Sequence, residues 1–170
     1  MSESAAYDEF AANVESLMAI VTVRAGERMD GCLVGFSTQC SMDPVRHLVC
    51  LSTANKTCEI ARYASTLVVH MLHRSDGDRA LARLFGEETA YETDKLDRCD
   101  WAAGPDGVPV LAGCDWFAGR IVDQVGLGDH LGFVIDVGEG EAGRASEPHL
   151  SFREVRDLDA GRDAGEGESV

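Results

Sequence analysis

A basic surface is what this chain most clearly lacks. Its 170 residues hold 15 Lys plus Arg against 30 Asp plus Glu, a net charge of −15. Such a surface repels a nucleic-acid backbone and an anionic membrane, so neither is expected as a partner. A small phosphorylated ligand stays open, because amides and hydroxyls bind phosphate locally. No apolar run approaches the roughly 20 residues of a membrane helix. The opening "MSESAAYDEF" lacks the basic start of a signal peptide, and a cytoplasmic protein is the expectation. The six cysteines, Cys32, Cys40, Cys50, Cys58, Cys99 and Cys114, form no CxxC and no Cys–His pair at zinc spacing. They read as reduced core residues, with Cys40 the exception because it lies in a polar stretch. No metal site is expected.

No internal repeat and no second domain are visible, so residues 1–158 are read as one domain. From Asp159 to Val170 there are 4 acidic residues and 1 basic one among Gly, Ala and Ser. That composition predicts a disordered acidic tail.

Within the domain, Tyr7, Phe10, Val14, Leu17 and Met18 recur at helical spacing and predict an opening helix. "MAIVTVR" predicts a strand over Met18–Arg24, "AGERMDG" a turn, and "GCLVGFSTQ" the returning strand, closed at Asp43-Pro44. "RHLVCLS" (Arg46–Ser52) and "TLVVHML" (Thr66–Leu72) are further strands, separated by a helix starting near Thr57. A short helix follows "RSDGD", then a long irregular stretch. "VLAGCDWFAGRIVDQV" reads as one long strand or a bent pair, with Gly113 and Gly119 as bend points. "HLGFVIDVGEG" is the last strong strand and "PHLSFREV" a weaker one. Short, closely spaced strands with glycine bends predict a mainly β protein with short helices (α+β), its strands closed into an antiparallel barrel.

Three polar segments invite chemistry. "FSTQCSMDP" runs an apolar strand into hydroxyl, carboxamide and thiol groups with almost no charge. It is either a self-bonded barrel corner or a surface for a polar, uncharged ligand. "STANKT" sets short polar residues before a helix, as a cap or as an anion contact. "GLGDH" is a hairpin turn or the seat of a reactive histidine. His70 and His73 are three apart on a strand, hence on opposite faces, which argues against a shared metal.

The ordered series "IVTV…GCLVGFSTQCSMDP…LVCLSTANKT…VVHML…LARLF…DKL…GDH…GFVIDV" resembles the flavin reductase-like family, from about Ala19 to Arg156. The resemblance implies a split β-barrel of the FMN-binding type and a homodimer. It further implies FMN or FAD as cofactor, NADH or NADPH as hydride donor, and in some members a partner flavin-dependent monooxygenase. Carried onto this sequence, it implies that Thr38, Gln39, Cys40 and Ser41 face the flavin ring and ribityl chain. It implies that Ser52, Thr53, Asn55, Lys56 and Thr57 hold the phosphate, with Arg83 of "LARLF" approaching it. His130 would stand on the donor side as the catalytic residue. A flavin protein that does not use nicotinamide is the alternative. The sequence departs from the family pattern at Leu33, Gly35 and Phe36, where Thr or Ser with Asn is common, and at His70, where an Asn is common.

Overall fold

Gly26 and Glu27 form a two-residue turn, with Gly26 at φ +62°. A left-handed backbone is least costly for glycine, so β1 (Ala19–Ala25) folds straight back on β2 (Arg28–Val34). Met29, Asp30 and Gly31, expected in the turn, therefore belong to β2. The computed structural model describes residues 4–87 and 94–158. The expected acidic tail lies outside the described residues, as does part of the expected irregular stretch.

The returning strand breaks at Gly35–Phe36, and β3 (Ser37–Met42) pairs with β4 (Val45–Ser52) across a cis Asp43-Pro44 bond. Helix α2 (Lys56–Ala61) starts one residue before the expected position. β5 (Thr66–Met71) ends one residue short of the expected Leu72, and α3 (Asp76–Glu87) is longer than the short helix expected. The described part of the irregular stretch contains a small hairpin, β6 (Trp101–Ala103) with β7 (Pro109–Leu111). Val110 and Leu111 thus leave the long strand. It turns at Gly113 and continues as one bent strand, β8 (Asp115–Leu127), paired with β9 (His130–Glu141). The register of that pair shifts on either side of Gly119, where a Cβ would lie 2.5 Å from the Asp136 carbonyl oxygen. "PHLSFREV" forms no strand among the described residues. It makes isolated bridges, His73 with His149 and Leu17 with Ser151, then a 3-10 turn over Phe152–Glu154.

All pairings are antiparallel, in the order β2-β1-β5-β8-β9-β4-β3. The expected closure of the barrel is not seen among the described residues, where β2 and β3 are edges and no strand ladder joins them. The sheet curls instead, and α2 packs into the opening against β1, β2 and β4. Its Cys58, Ile60 and Ala61 join Val21, Val23, Cys32, Val49, Leu51, Leu67, Val69, Phe133 and Ile135 in one core. A second core lies outside the curl, where Ile20, Leu72, Phe85, Leu96, Leu111 and Leu150 pack under α3. β1 is buried on both faces, which is why "AIVTV" is a continuous apolar run rather than an alternating one.

The opening helix is shorter than expected. α1 spans Ala5–Ala11 and buries no side chain. Tyr7 and Phe10 are about two-thirds exposed, at 70% and 68%. Of the five apolar residues at helical spacing, only Tyr7 and Phe10 lie in the helix, and neither is buried among the described residues. Beyond it, Leu17 bridges to Ser151 and Met18 enters the core.

Candidate functional site

Antiparallel pairing decides which polar residues meet. Ser52 of β4 stands opposite His130 of β9, Cys50 opposite Gly132, and Leu48 opposite both Val134 and Thr38. Directly paired residues share a face, so Thr38, Leu48, Cys50, Ser52 and His130 lie together. Val49, Leu51, Leu131 and Phe133 face the other way, into the core. The "GLGDH" turn is then tied to "STANKT": the Thr53 amide and hydroxyl both donate to the Asp129 carbonyl, at 2.9 and 3.0 Å. Two motifs 76 residues apart become one corner.

At that corner His130 Nδ1–H donates to Asp129 Oδ1 at 2.7 Å. The carboxylate orients the imidazole and leaves Nε2 as the position where a proton is accepted. Asn55 caps α2, its side-chain oxygen accepting from the Thr57 amide at 2.9 Å. Lys56, half-buried in the next position, supplies the positive charge.

Other expected site residues stand apart. Thr57 is fully buried, and its hydroxyl donates to Asp30 Oδ2 at 2.9 Å, so its side chain serves the interior. Arg83 is exposed on α3, whose Phe85 meets β2 at Gly31, whereas α2 meets the other face at Asp30. The strand therefore separates Arg83 from the α2 start of the same chain. Gln39 pairs with His47 and so faces away from Thr38, its carboxamide donating to the Ser41 carbonyl at 3.1 Å. Cys40 occupies the bulge between Gln39 and Ser41. Ser41 shares the Thr38 face but pairs with Arg46, six residues from Ser52 along β4, roughly 20 Å away. The segment is an edge strand, not a corner turned out of the sheet.

Sequence reasoning missed the interior polar groups. Asp30, Lys95 and Thr57 form one buried cluster, in which Lys95 Nζ donates to the Gly31 carbonyl at 2.8 Å. His70 Nδ1 lies 3.0 Å from the Ile20 carbonyl, and the Leu111 amide donates to its Nε2 at 3.0 Å. Burial lowers its pKa to about 4. His73 contacts Asp115 at 3.1 Å, and Arg144 bridges to Asp78 at 3.0 Å, tying the segment after β9 to α3. Alternating patterns hide such residues, because a lone Asp in a strand reads as solvent-facing. Among the described residues, no group of His, Cys, Asp and Glu is placed to hold a metal. Burial pushes the Cys32 and Cys114 thiols to about 12, consistent with inert core cysteines; Cys40 is the exposed one. No helix of the described residues is long and apolar enough to cross a membrane.

Two surface clefts, one beside Arg24, Tyr63 and Asp106 and one beside Arg120, Asp136 and Gly138, contain none of the candidate residues.

A Rhizobium meliloti protein named "Probable flavin reductase" is 28% identical over 116 residues, 65% of this chain. The chain spans only 36% of that relative's length. An NADH:FAD oxidoreductase from Streptomyces globisporus shares the fold, with TM-score 0.76 and 21% identity over 88% of each chain. An FMN-binding protein from Thermus thermophilus matches with TM-score 0.70 and 26% identity, over 78% of this chain and 73% of its own. The family model described as flavin reductase like domain matches residues 11–158. Over that span, which holds β1 to β9 and the whole candidate corner, the chain is a member of the flavin reductase like domain family.

Proposed function

We propose that this protein is an NAD(P)H-dependent flavin oxidoreductase that takes FMN or FAD. The observation that supports it best is the meeting of "STANKT" and "GLGDH" on one sheet face, beside the polar edge strand β3. The donor set suits a flavin. Thr38 and Ser52 offer hydroxyls without net charge, and β3 as an edge strand presents amides outside the ladder. Lys56, beside Thr53 and Asn55, supplies a point charge suited to phosphate. Bound flavin would supply the hydride-accepting chemistry. The chain's own residues would align it and, through His130 Nε2, manage a proton at the donor side. Support from relatives includes the NADH:FAD oxidoreductase and a monooxygenase component B from Mycobacterium thermoresistibile with TM-score 0.73. A flavin-dependent monooxygenase is accordingly the proposed recipient of reduced flavin.

The deciding experiment is anaerobic titration of the flavin-loaded protein with NADH and NADPH. Bleaching of the flavin absorbance by either donor is expected. Retained colour with both would leave the alternative, a flavin-holding protein that does not use nicotinamide. Lys56→Ala tests the ligand's orientation. It should weaken FMN about ten- to fiftyfold, the loss of one charge-assisted contact, and leave riboflavin nearly unchanged. A parallel loss for both ligands would place the phosphate elsewhere.

We also propose a homodimer. The face of the corner carries exposed Val125 and Leu127 beside half-buried Leu48 and Val134. A second copy over that face would bury these side chains and turn a flat surface into a slot. Sedimentation should give a dimer at micromolar concentration, and Leu127→Lys should shift it toward monomer. A flavin-loaded wild-type monomer would refute the proposal.

A further inference from the structure

Phe36 is the residue at the corner that neither the polar motifs nor the core accounts for. It sits in the two-residue break between β2 and β3, and its ring is 58% exposed. Exposed aromatic rings in loops are common, but this one is held. Its carbonyl accepts from the Cys50 amide at 2.9 Å, which pins the break to β4 two residues from Ser52. Its ring centroid lies 5.2 Å from that of His130, with the planes tilted by 57°. Phe36 is therefore nearer the Ser52–His130 corner in strand register than Gln39, Cys40 or Ser41.

The surroundings specify what such a ring is for. Cys50 and Ser52 present small side chains on the same face of β4, and the Leu48 and Leu127 side chains close over Gly132, opposite Cys50. The small residues Cys50 and Ser52 thus lie between the aromatic corner and an apolar flank of Leu48 and Leu127. The corner's imidazole is oriented by Asp129, at 2.7 Å. A planar, electron-poor heteroaromatic ring gains from both walls, by tilted or offset stacking on Phe36 and by a hydrogen bond from or to His130. An aliphatic or strongly anionic ligand gains from neither.

We propose that Phe36, with His130, forms the aromatic corner that holds the nicotinamide ring of the hydride donor, making Phe36 a donor-positioning residue. This rests on the flavin oxidoreductase reading. The flavin would be anchored by contacts Phe36 does not make, Lys56 and Thr53 among them, so donor and flavin affinities should separate on its substitution.

The test measures binding rather than turnover. The dissociation constant of oxidised nicotinamide dinucleotide for the flavin-loaded protein is compared by calorimetry for wild type, Phe36→Ala, Phe36→Leu and Phe36→Tyr. Flavin affinity is measured alongside by fluorescence quenching. Phe36→Ala and Phe36→Leu should weaken the dinucleotide about three- to tenfold, the size of one aromatic contact, and Phe36→Tyr should retain it. Flavin affinity should stay within about twofold. The His130 imidazole proton resonances should shift in the Ala and Leu variants as the ring current is lost, with melting temperature unchanged. Unaltered dinucleotide affinity in Phe36→Ala overturns the proposal, and so does an equal loss for flavin and dinucleotide. A wild-type protein that binds no flavin at all overturns the underlying reading instead.

Discussion

Lys95→Met should destabilise the fold by about 3–5 kcal/mol, read from chemical denaturation, the cost of removing one partner of a buried ion pair. Lys95 is 3% exposed, and its ammonium donates to the Gly31 carbonyl and lies 3.9 Å from Asp30 Oδ1. Asp30 is also buried and otherwise accepts only from Thr57 among the hydrogen bonds described. Without the lysine, a carboxylate is left in a nearly dry site between β2 and α2. Domains have only about 5–15 kcal/mol in total, so the variant should sit near the edge of folding. The double variant Lys95→Met with Asp30→Asn should recover most of the loss, because no charge is then orphaned. A double variant as unstable as the single one would show that packing of the lysine stem, not charge, is what matters. The same cluster explains why Thr57 is a poor probe of phosphate binding: its removal would disturb Asp30 first.

His70 should make stability fall with acidification. In the folded state Nδ1–H donates to Ile20 and Nε2 accepts from Leu111, which only the neutral ring can do. Burial lowers its pKa from 6.5 to about 4. Above pH 6.5 neither folded nor unfolded chain is protonated there, and the full stability is present. Between pH 6.5 and about 4 the unfolded chain binds a proton that the folded chain refuses, so stability declines as pH falls. Each pH unit in that window costs up to about 1.4 kcal/mol, and the whole window about 3 kcal/mol. His70→Gln lacks a titrating ring. It should be less stable at pH 7 through the lost Ile20 contact, yet show a flatter stability profile between pH 7 and 4. Profiles of equal slope for the two proteins would mean that His70 is not the group responsible.

The site was legible only in pieces. "STANKT" and "GLGDH" could be singled out because short polar residues beside glycines and a helix start are local signals. That Thr53 donates to Asp129 was not, since the two residues meet only through the β4–β9 register. Thr57 and Asn55 look interchangeable in sequence, yet one caps the helix outside and the other bonds Asp30 inside. The helix phase relative to β2 decides this, and periodicity over six residues cannot. Phe36 drew notice as a departure in a polar segment, but its contact with His130 depends on where the β2–β3 break lands against β4.

By itself the sequence determined the antiparallel β-rich domain, the short helix after "STANK", the bends at Gly113 and Gly119, and the reduced core cysteines. These follow from local propensity, glycine placement and apolar patterning, which act over a few residues. Tertiary structure alone decided the open ladder, with α2 rather than a strand pairing filling the gap between its edges. It decided that Asp30, Lys95 and His70 are interior, and that Tyr7 and Phe10 of α1 are exposed among the described residues. Those outcomes depend on which distant surfaces meet. A residue's own side chain says how strongly it wants burial or a partner, but not which segment 30 or 80 positions away will supply it, roughly the separations spanned by the Thr57–Asp30 and Thr53–Asp129 contacts.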